Sequence, residues 1–226
     1  IGMLLSALAM TWHLVHFHYV KFNKESMYEV SKKIILLCIP LLLSAQFIAG
    51  ILNEALDLTD TNQELFISMS HNIFGVLSIA IVVPILEEVL FRGAIEGHLL
   101  RKGWSPKWAI LVSALIFGII HGNPAQIPFA FLIGLLFGWL YYRTGSLVPG
   151  IVGHIINNSF GAWTMFTATR EELSQTTMET LGTTITYILL VLAIIVFIGM
   201  YLYLNKYLPK PTNIQVKAIN EQDITI

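Results

Sequence analysis

Two adjacent carboxylates, Glu87 and Glu88, stand near the end of the apolar run 73-IFGVLSIAIVVPILEEVLFRG-93. Ionisable groups in such a run are costly inside a bilayer and mark a functional site by default. Two further segments carry polar groups into apolar surroundings, Phe117-Gly118-Ile119-Ile120-His121 and His154-Ile155-Ile156-Asn157-Asn158. Carboxylate, imidazole and carboxamide together are the parts of a hydrolytic centre. A carboxylate of suitable basicity activates water, and N–H donors receive the charge that develops on a carbonyl oxygen.

Helical spacing divides the work. Glu88 and Arg92 are four apart with the acid first, the favoured order for an intrahelical ion pair, so Glu88 is the partnered carboxylate. Glu87 is rotated about 100° from that pair and is left to face a cavity. Pro84 donates no backbone hydrogen bond, which on α-helical counting orphans the carbonyl of Ala80 and opens room beside the site. His154 and Asn158 share one helical face and aim donors at an oxyanion. Asn157 points elsewhere and reads as a helix-packing contact. Phe117, one turn before His121, packs the cavity wall.

The polar turn 101-RKGWSP-106, with Pro106 suited to a first helical turn, makes the helices on either side an antiparallel hairpin. Glu87 and His121 each lie 17 residues from Trp104 and therefore at one depth, where a water between them could lose a proton to Glu87. His154 lies only about nine residues, roughly 13 Å of helix, beyond the turn at Thr144-Gly145. Tilt, or a first hairpin that projects past the second, is needed to level all three.

Hydrophobic residues make up 55% of the 226-residue chain and charged ones 12%, with a mean hydropathy of +0.71. That excludes an ordinary soluble domain and makes the bilayer the first partner. A net charge of -1 without a polybasic run gives no footprint for nucleic acid. The lone Cys38 excludes an internal disulfide. Stretches near the length of a bilayer span fall at about 1–20, 34–52, 72–92, 107–122, 127–142, 146–164 and 181–204. The expected fold class is an all-α, polytopic transmembrane helical bundle of about seven spans. It forms one domain over 1–205, with its motif-bearing core at about 70–165, followed by a polar tail at 206–226. Gly93/Gly97, Gly118/Gly122 and Gly134/Gly138 should let helices approach closely. His13, His16 and His18, with Trp12 and Tyr19, read as an interfacial band, and His71 and His98 as residues near helix ends. Ile1 falls inside a hydrophobic run, so further residues are expected ahead of it, with an additional span there an economical start.

Taken in order on successive membrane helices, Glu87-Glu88-x-x-x-Arg92, Phe117-x-x-x-His121 and His154-x-x-x-Asn158 closely resemble the motifs of the CAAX-processing and bacteriocin-processing intramembrane endopeptidases. The resemblance covers about residues 70–165. It implies an all-helical membrane glutamate protease related to type II CAAX prenyl proteases and located in the cytoplasmic membrane of a bacterium. By that analogy Glu87 is the general base, His121 helps hold the water, and His154 and Asn158 stabilise the oxyanion, with Glu88, Arg92 and Phe117 in support. A site within the membrane favours hydrophobic or lipidated peptide substrates.

Other classes compete. Glu87, His121 and His154 could ligate zinc, but the chain lacks a His-Glu-x-x-His helix; no cofactor is therefore expected, with zinc the minor alternative. A transporter or proton relay would use the same buried ionisable groups, although no inverted repeat is evident. A non-catalytic membrane scaffold or a bacteriocin-immunity protein of the same fold is a further alternative.

Of the thirteen Lys and Arg residues, all except Arg170 fall on one side of the seven spans, which the positive-inside rule makes cytoplasmic together with the C-terminus. Single cysteines introduced into 53–65 and 164–180 should react with an impermeant thiol reagent on intact cells, and cysteines in 93–107 should not. Selective labelling of 93–107 would reverse the orientation.

Overall fold

The computed structural model describes residues 2–20 and 30–208. Among these, all regular structure is helical: α1 (Gly2–His16), α2 (Lys32–Glu54), α3 (Gln63–Ser70), α4 (Ile73–Arg101), α5 (Pro106–Ile120), α6 (Ile127–Thr144), α7 (Val148–Thr167), α8 (Arg170–Ser174), α9 (Thr177–Leu181) and α10 (Thr183–Tyr207). The all-α polytopic membrane bundle is borne out. Four helices, α2, α4, α6 and α10, are long and apolar enough to cross a membrane by themselves. Of the other expected spans, α1 and α5 have 15 residues each. The 20-residue α7 is long enough but is made too polar by the residues of the candidate site. Apart from 206–208, the expected polar tail lies outside the described residues, as do Ile1, Lys21 and Lys24.

The expected hairpin forms between α4 and α5. Trp104 N–H bonds back to Leu99 O and Gly103 N–H to Leu100 O, with Gly103 at φ +80°: the double closure that ends a helix when its C′ residue is left-handed. Ser105 is extended, and Pro106 opens α5 where a missing N–H costs nothing.

The small-residue pairs do seat neighbours, with one exception. Gly93 faces Val20, Gly118 faces the Ile127 carbonyl and Phe131, and Gly134 faces Ala114 and Phe117. Gly122 packs against nothing; at φ +60° it supplies the left-handed backbone that turns the chain after His121. One apolar core joins Cys38, Leu41 and Leu42 of α2 with Phe137 and Leu140 of α6 and Leu204 of α10. A second joins Leu14, Val20, Val89 and Leu147.

The two acidic or polar connections expected on one side do share one end of the bundle. Asn53 Nδ2 donates to Ala125 O at 2.8 Å, Thr177 N–H to Glu54 Oε2 at 3.0 Å, and Arg170 pairs with Glu64 in two places. The hydrogen bond from Arg170 holds the Glu64 carboxyl below its ordinary range. The connections are more ordered than expected: α3 occupies part of the first, and α8 and α9, each begun by a Thr/Glu capping box, fold the second. At the centre of these ties Asn123, wholly buried, donates to Asp60 Oδ1 at 2.7 Å and accepts from Thr61 N–H at 3.1 Å.

Replacing Asn123 by Ala removes its hydrogen bonds to Thr61 and to the Asp60 carboxylate and should cost about 1–3 kcal/mol. Arg170→Ala, which removes a solvent-exposed pair, should change little. Thermal unfolding in detergent measures both; equal, small effects would show that Asn123 does not anchor this end.

Candidate active site

Helix α4 is not a regular α-helix where it meets the site. It contains two π segments, Ser78–Val82 and Val89–Glu96, a distortion common at functional sites. In the first, Val83 N–H bonds to Ser78 O, five residues back. Carried one residue on, that register would pair Pro84 with Ile79 O, and proline has no N–H to give. The π turn thus leaves Ile79 O, one residue before the Ala80 of α-helical counting, without a donor from Pro84. Asn158 of α7 fills the gap, donating Nδ2–H to Ile79 O at 2.9 Å. Asn157 in turn donates to Asn158 Oδ1 at 3.0 Å.

One turn after Pro84 the two glutamates meet α7. His154 stands between them, with Nδ1 3.2 Å from Glu88 Oε1 and Nε2 3.4 Å from Glu87 Oε2. The expected ion pair is present: Arg92 Nη1 donates to the same Glu88 Oε1 at 2.9 Å, with both side chains 1% exposed. Glu87 differs, its side chain remaining 20% exposed. One carboxylate is therefore locked into a dry pair and the other opens outward, the division anticipated from the 100° offset.

Arg92 is held from three further directions. Nη2 donates to Gly134 O on α6 at 3.1 Å, and its guanidinium lies 4.5 Å from the centre of the Phe117 ring and 5.4 Å from that of Phe137, within cation–π reach. Phe117 does more than line a wall. Its ring also meets those of Phe91, His121 and His154 at 5.0, 4.9 and 5.7 Å.

His121 caps the end of α5, with Nδ1 2.7 Å from Phe117 O. That contact makes Nδ1 the protonated nitrogen and leaves the Nε2 lone pair able to accept. No hydrogen bond joins His121 to either glutamate among the described residues; it reaches the cluster through Phe117. His154, which the spacing left too shallow, sits directly at the glutamates, because the hairpin turn after the 29-residue α4 stands farther out than the turn between α6 and α7.

Sequence reasoning missed two positions, Glu96 and Gly150, and one role of a third, Gly134. Glu96 is completely buried, and neither carboxylate oxygen has a hydrogen-bond partner; the spacing Glu88-x-x-x-Arg92-x-x-x-Glu96 was its signal. Gly150 leaves the space that Glu88 Oε2 fills, 2.6 Å from where a Cβ would stand, and Gly134 supplies the carbonyl under Arg92. Nothing but the fold reveals Gly150, whereas spacing marks Gly134 only as a packing glycine. A groove of about 520 Å³, lined among others by Met3, Met69, Phe74 and Ser78, lies between α1 and the α3–α4 junction. No group of three His, Cys, Asp or Glu side chains among the described residues is arranged to hold a metal ion.

The fold and site define a polytopic membrane protein with a Glu/His/Asn/Arg cluster built from α4 and α7, which His121 at the end of α5 reaches through Phe117. Residues 69–160 match the family described as type II CAAX prenyl endopeptidase Rce1-like, so the resemblance carried by the motifs is borne out over the segment that contains them. The chain is 38% identical over 81 residues to "Putative membrane peptidase YdiL" of Bacillus subtilis (strain 168), covering 36% of this chain and 33% of that protein. It is 33% identical over 106 residues to the membrane-embedded CAAX protease MroQ of Staphylococcus aureus (strain USA300), covering 45% and 42%. Protein YxdF of Lactococcus lactis subsp. lactis (strain IL1403) is 28% identical over 122 residues, covering 54% and 63%. The matches thus span less than two thirds of each of these relatives. No solved structure matches the chain significantly.

The off-register carbonyl has a direct test. Asn158→Ala should destabilise by about 1–3 kcal/mol through the unsatisfied Ile79 carbonyl. Pro84→Ala, which restores a backbone N–H, should reduce that loss in the double variant. Thermal unfolding of the four proteins reads it, and strictly additive losses would show that Pro84 and Asn158 do not serve the same carbonyl.

Proposed function

We propose that this chain is an intramembrane endopeptidase that hydrolyses peptide bonds in hydrophobic or lipidated peptides by glutamate-activated water. The observation that carries the reading is His154 held between Glu88, dry and paired to Arg92, and Glu87, open to its surroundings. An open carboxylate beside a fixed imidazole is what a general base requires.

In this mechanism Glu87 takes a proton from water while the water oxygen bonds to the scissile carbonyl carbon. The Nε2 lone pair of His121 accepts the water's other hydrogen and orients it. The negative charge passes to the carbonyl oxygen, where donors already in place lower the barrier. In this mechanism His154 is doubly protonated, its Nδ1–H held by Glu88, and offers Nε2–H, whose 3.4 Å contact to Glu87 is long and free to exchange, since active-site hydrogen bonds often tighten only with substrate. Asn158 offers its second N–H, the first being bonded to Ile79 O. When the C–N bond breaks, Glu87 returns its proton to the departing amine, so protons balance over the cycle.

Supporting the substrate class are the groove between α1 and the α3–α4 junction, with Met3, Met69 and Phe74 in its lining, and the family description over residues 69–160. The setting is the cytoplasmic membrane of a bacterium with the C-terminal end cytoplasmic. A scaffold reading has one observation in its favour: His121, His154 and Asn158 are each already engaged by the protein's own acceptors.

Purified protein in liposomes, offered hydrophobic and prenylated peptides, decides between them. Glu87→Gln keeps size and fold but removes the base, and hydrolysis should fall by roughly 10²–10⁴-fold with an unchanged melting temperature. Chelator should leave wild-type turnover intact. Stoichiometric zinc whose removal abolishes turnover would favour a metallohydrolase, and absence of Glu87-dependent cleavage across the panel would favour the scaffold.

A further inference from the structure

Asn157 is the carboxamide beside the site that the mechanism does not use. Spacing marked it as a helix-packing contact, yet among the described residues its side chain hydrogen-bonds to no other helix. It turns to its own neighbour, and Nδ2–H donates to Asn158 Oδ1 at 3.0 Å. Helical register alone does not bring the two amides together, since adjacent residues diverge by about 100°.

A carboxamide has one acceptor oxygen and two N–H donors. Asn158 gives one N–H to Ile79 O at 2.9 Å; the other is the one that meets the oxyanion in the proposed mechanism. With the Ile79 bond alone, either N–H could serve that carbonyl, and the spare donor would point in a different direction in each case. A hold on Oδ1 removes the choice. Asn158 is held at its nitrogen by α4 and at its oxygen by Asn157, so the plane of the amide is fixed at both ends and the direction of the free N–H with it. The same contact draws electron density toward Oδ1 and makes the N–H groups better donors, because hydrogen bonds in a chain polarise one another. That strengthening is largest when the acceptor is charged.

We propose that Asn157 is a positioning residue for the hydrolysis, acting through Asn158: it fixes and polarises the carboxamide whose free N–H meets the oxyanion. The inference rests on the endopeptidase reading. Asn157 itself touches neither water nor substrate. The acceptor it serves through Asn158 is charged only in the transition state, so the effect falls on kcat and not on KM.

The test compares Asn157→Leu and Asn157→Gln with wild type in liposomes. Asn157→Leu keeps the bulk of the side chain and removes the donor, whereas Asn157→Gln keeps an amide donor on a longer arm. Losing an oxyanion donor outright costs about 10²–10³-fold in kcat, so Asn157→Leu, which leaves the donor present but loose, should cost roughly tenfold at unchanged KM. Asn157→Gln should recover part of that loss. A packing role predicts the reverse order, because Leu fills the space and Gln overfills it. In Asn158→Ala there is no carboxamide to orient, and adding Asn157→Leu should lower kcat no further. Full activity in Asn157→Leu, or an equal loss in both backgrounds, overturns the proposal. If wild type shows no Glu87-dependent cleavage, the endopeptidase reading fails first. The cycle of Asn157→Leu and Asn158→Ala on melting temperature then decides the link by itself: non-additive shifts support it and additive shifts reject it.

Discussion

A charged pair buried in an apolar bundle sets the terms for everything around it. Glu88 and Arg92 are each 1% exposed, and removing one member of such a pair typically costs about 3–5 kcal/mol because the other is left uncompensated. Each therefore has to be met on every side. Glu88 gains His154; Arg92 gains a backbone carbonyl of α6 and the faces of two phenylalanines. The glycines follow from the same constraint. A side chain at Gly150 would displace the Glu88 carboxylate, and one at Gly134 would meet Ala114 and Phe117 of α5, the ring that lies against Arg92. Well-packed hydrophobic residues would be as stable or more so, so the pair is better explained by what it holds than by the stability it adds.

What it holds is set by an irregularity in α4. In an unbroken α-helix adjacent residues diverge by about 100°, yet Glu87 and Glu88 both reach the ring of His154. Both stand on the α-helical turn Val83–Glu88 and reach opposite edges of one ring, while the π segments on either side interrupt the helix before and after that turn, and Asn158 secures the first through Ile79 O. Helix α7 thus does two jobs from one face, the anticipated pairing of His154 with Asn158: one side chain stabilises the distortion and the other reads its result.

Much of this was legible from spacing alone. The Glu88–Arg92 pair, the openness of Glu87, the α4–α5 hairpin and the shared face of His154 and Asn158 each follow from a periodicity that survives folding. The failures have a common cause, which is that counting assumes regular helices. The open carbonyl of Ile79 was missed because a π turn cannot be read from Pro84. Gly122 was paired with Gly118 at a spacing of four, but α5 had already ended at Ile120. Glu96 escaped notice because its significance lies in missing partners, which only packing reveals, although its distance of four from Arg92 was in plain view. The depth assigned to His154 stayed open until the relative projection of the two hairpin turns was known.

The site is also assembled from its acidic end. Asn123 holds the segment after α5 to Asp60 and Thr61, and Asn53 holds it again at Ala125. Those ties fix the left-handed turn at Gly122 and hence the placement of His121 at the end of α5. The His121 ring packs on Phe117, and Phe117 packs on Arg92 and His154. A close-packed interior transmits displacement, so loosening the connections far from the glutamates should reach them through this one aromatic ring. The ring that looks like filler in the sequence is the part through which the loops and the buried charges constrain each other.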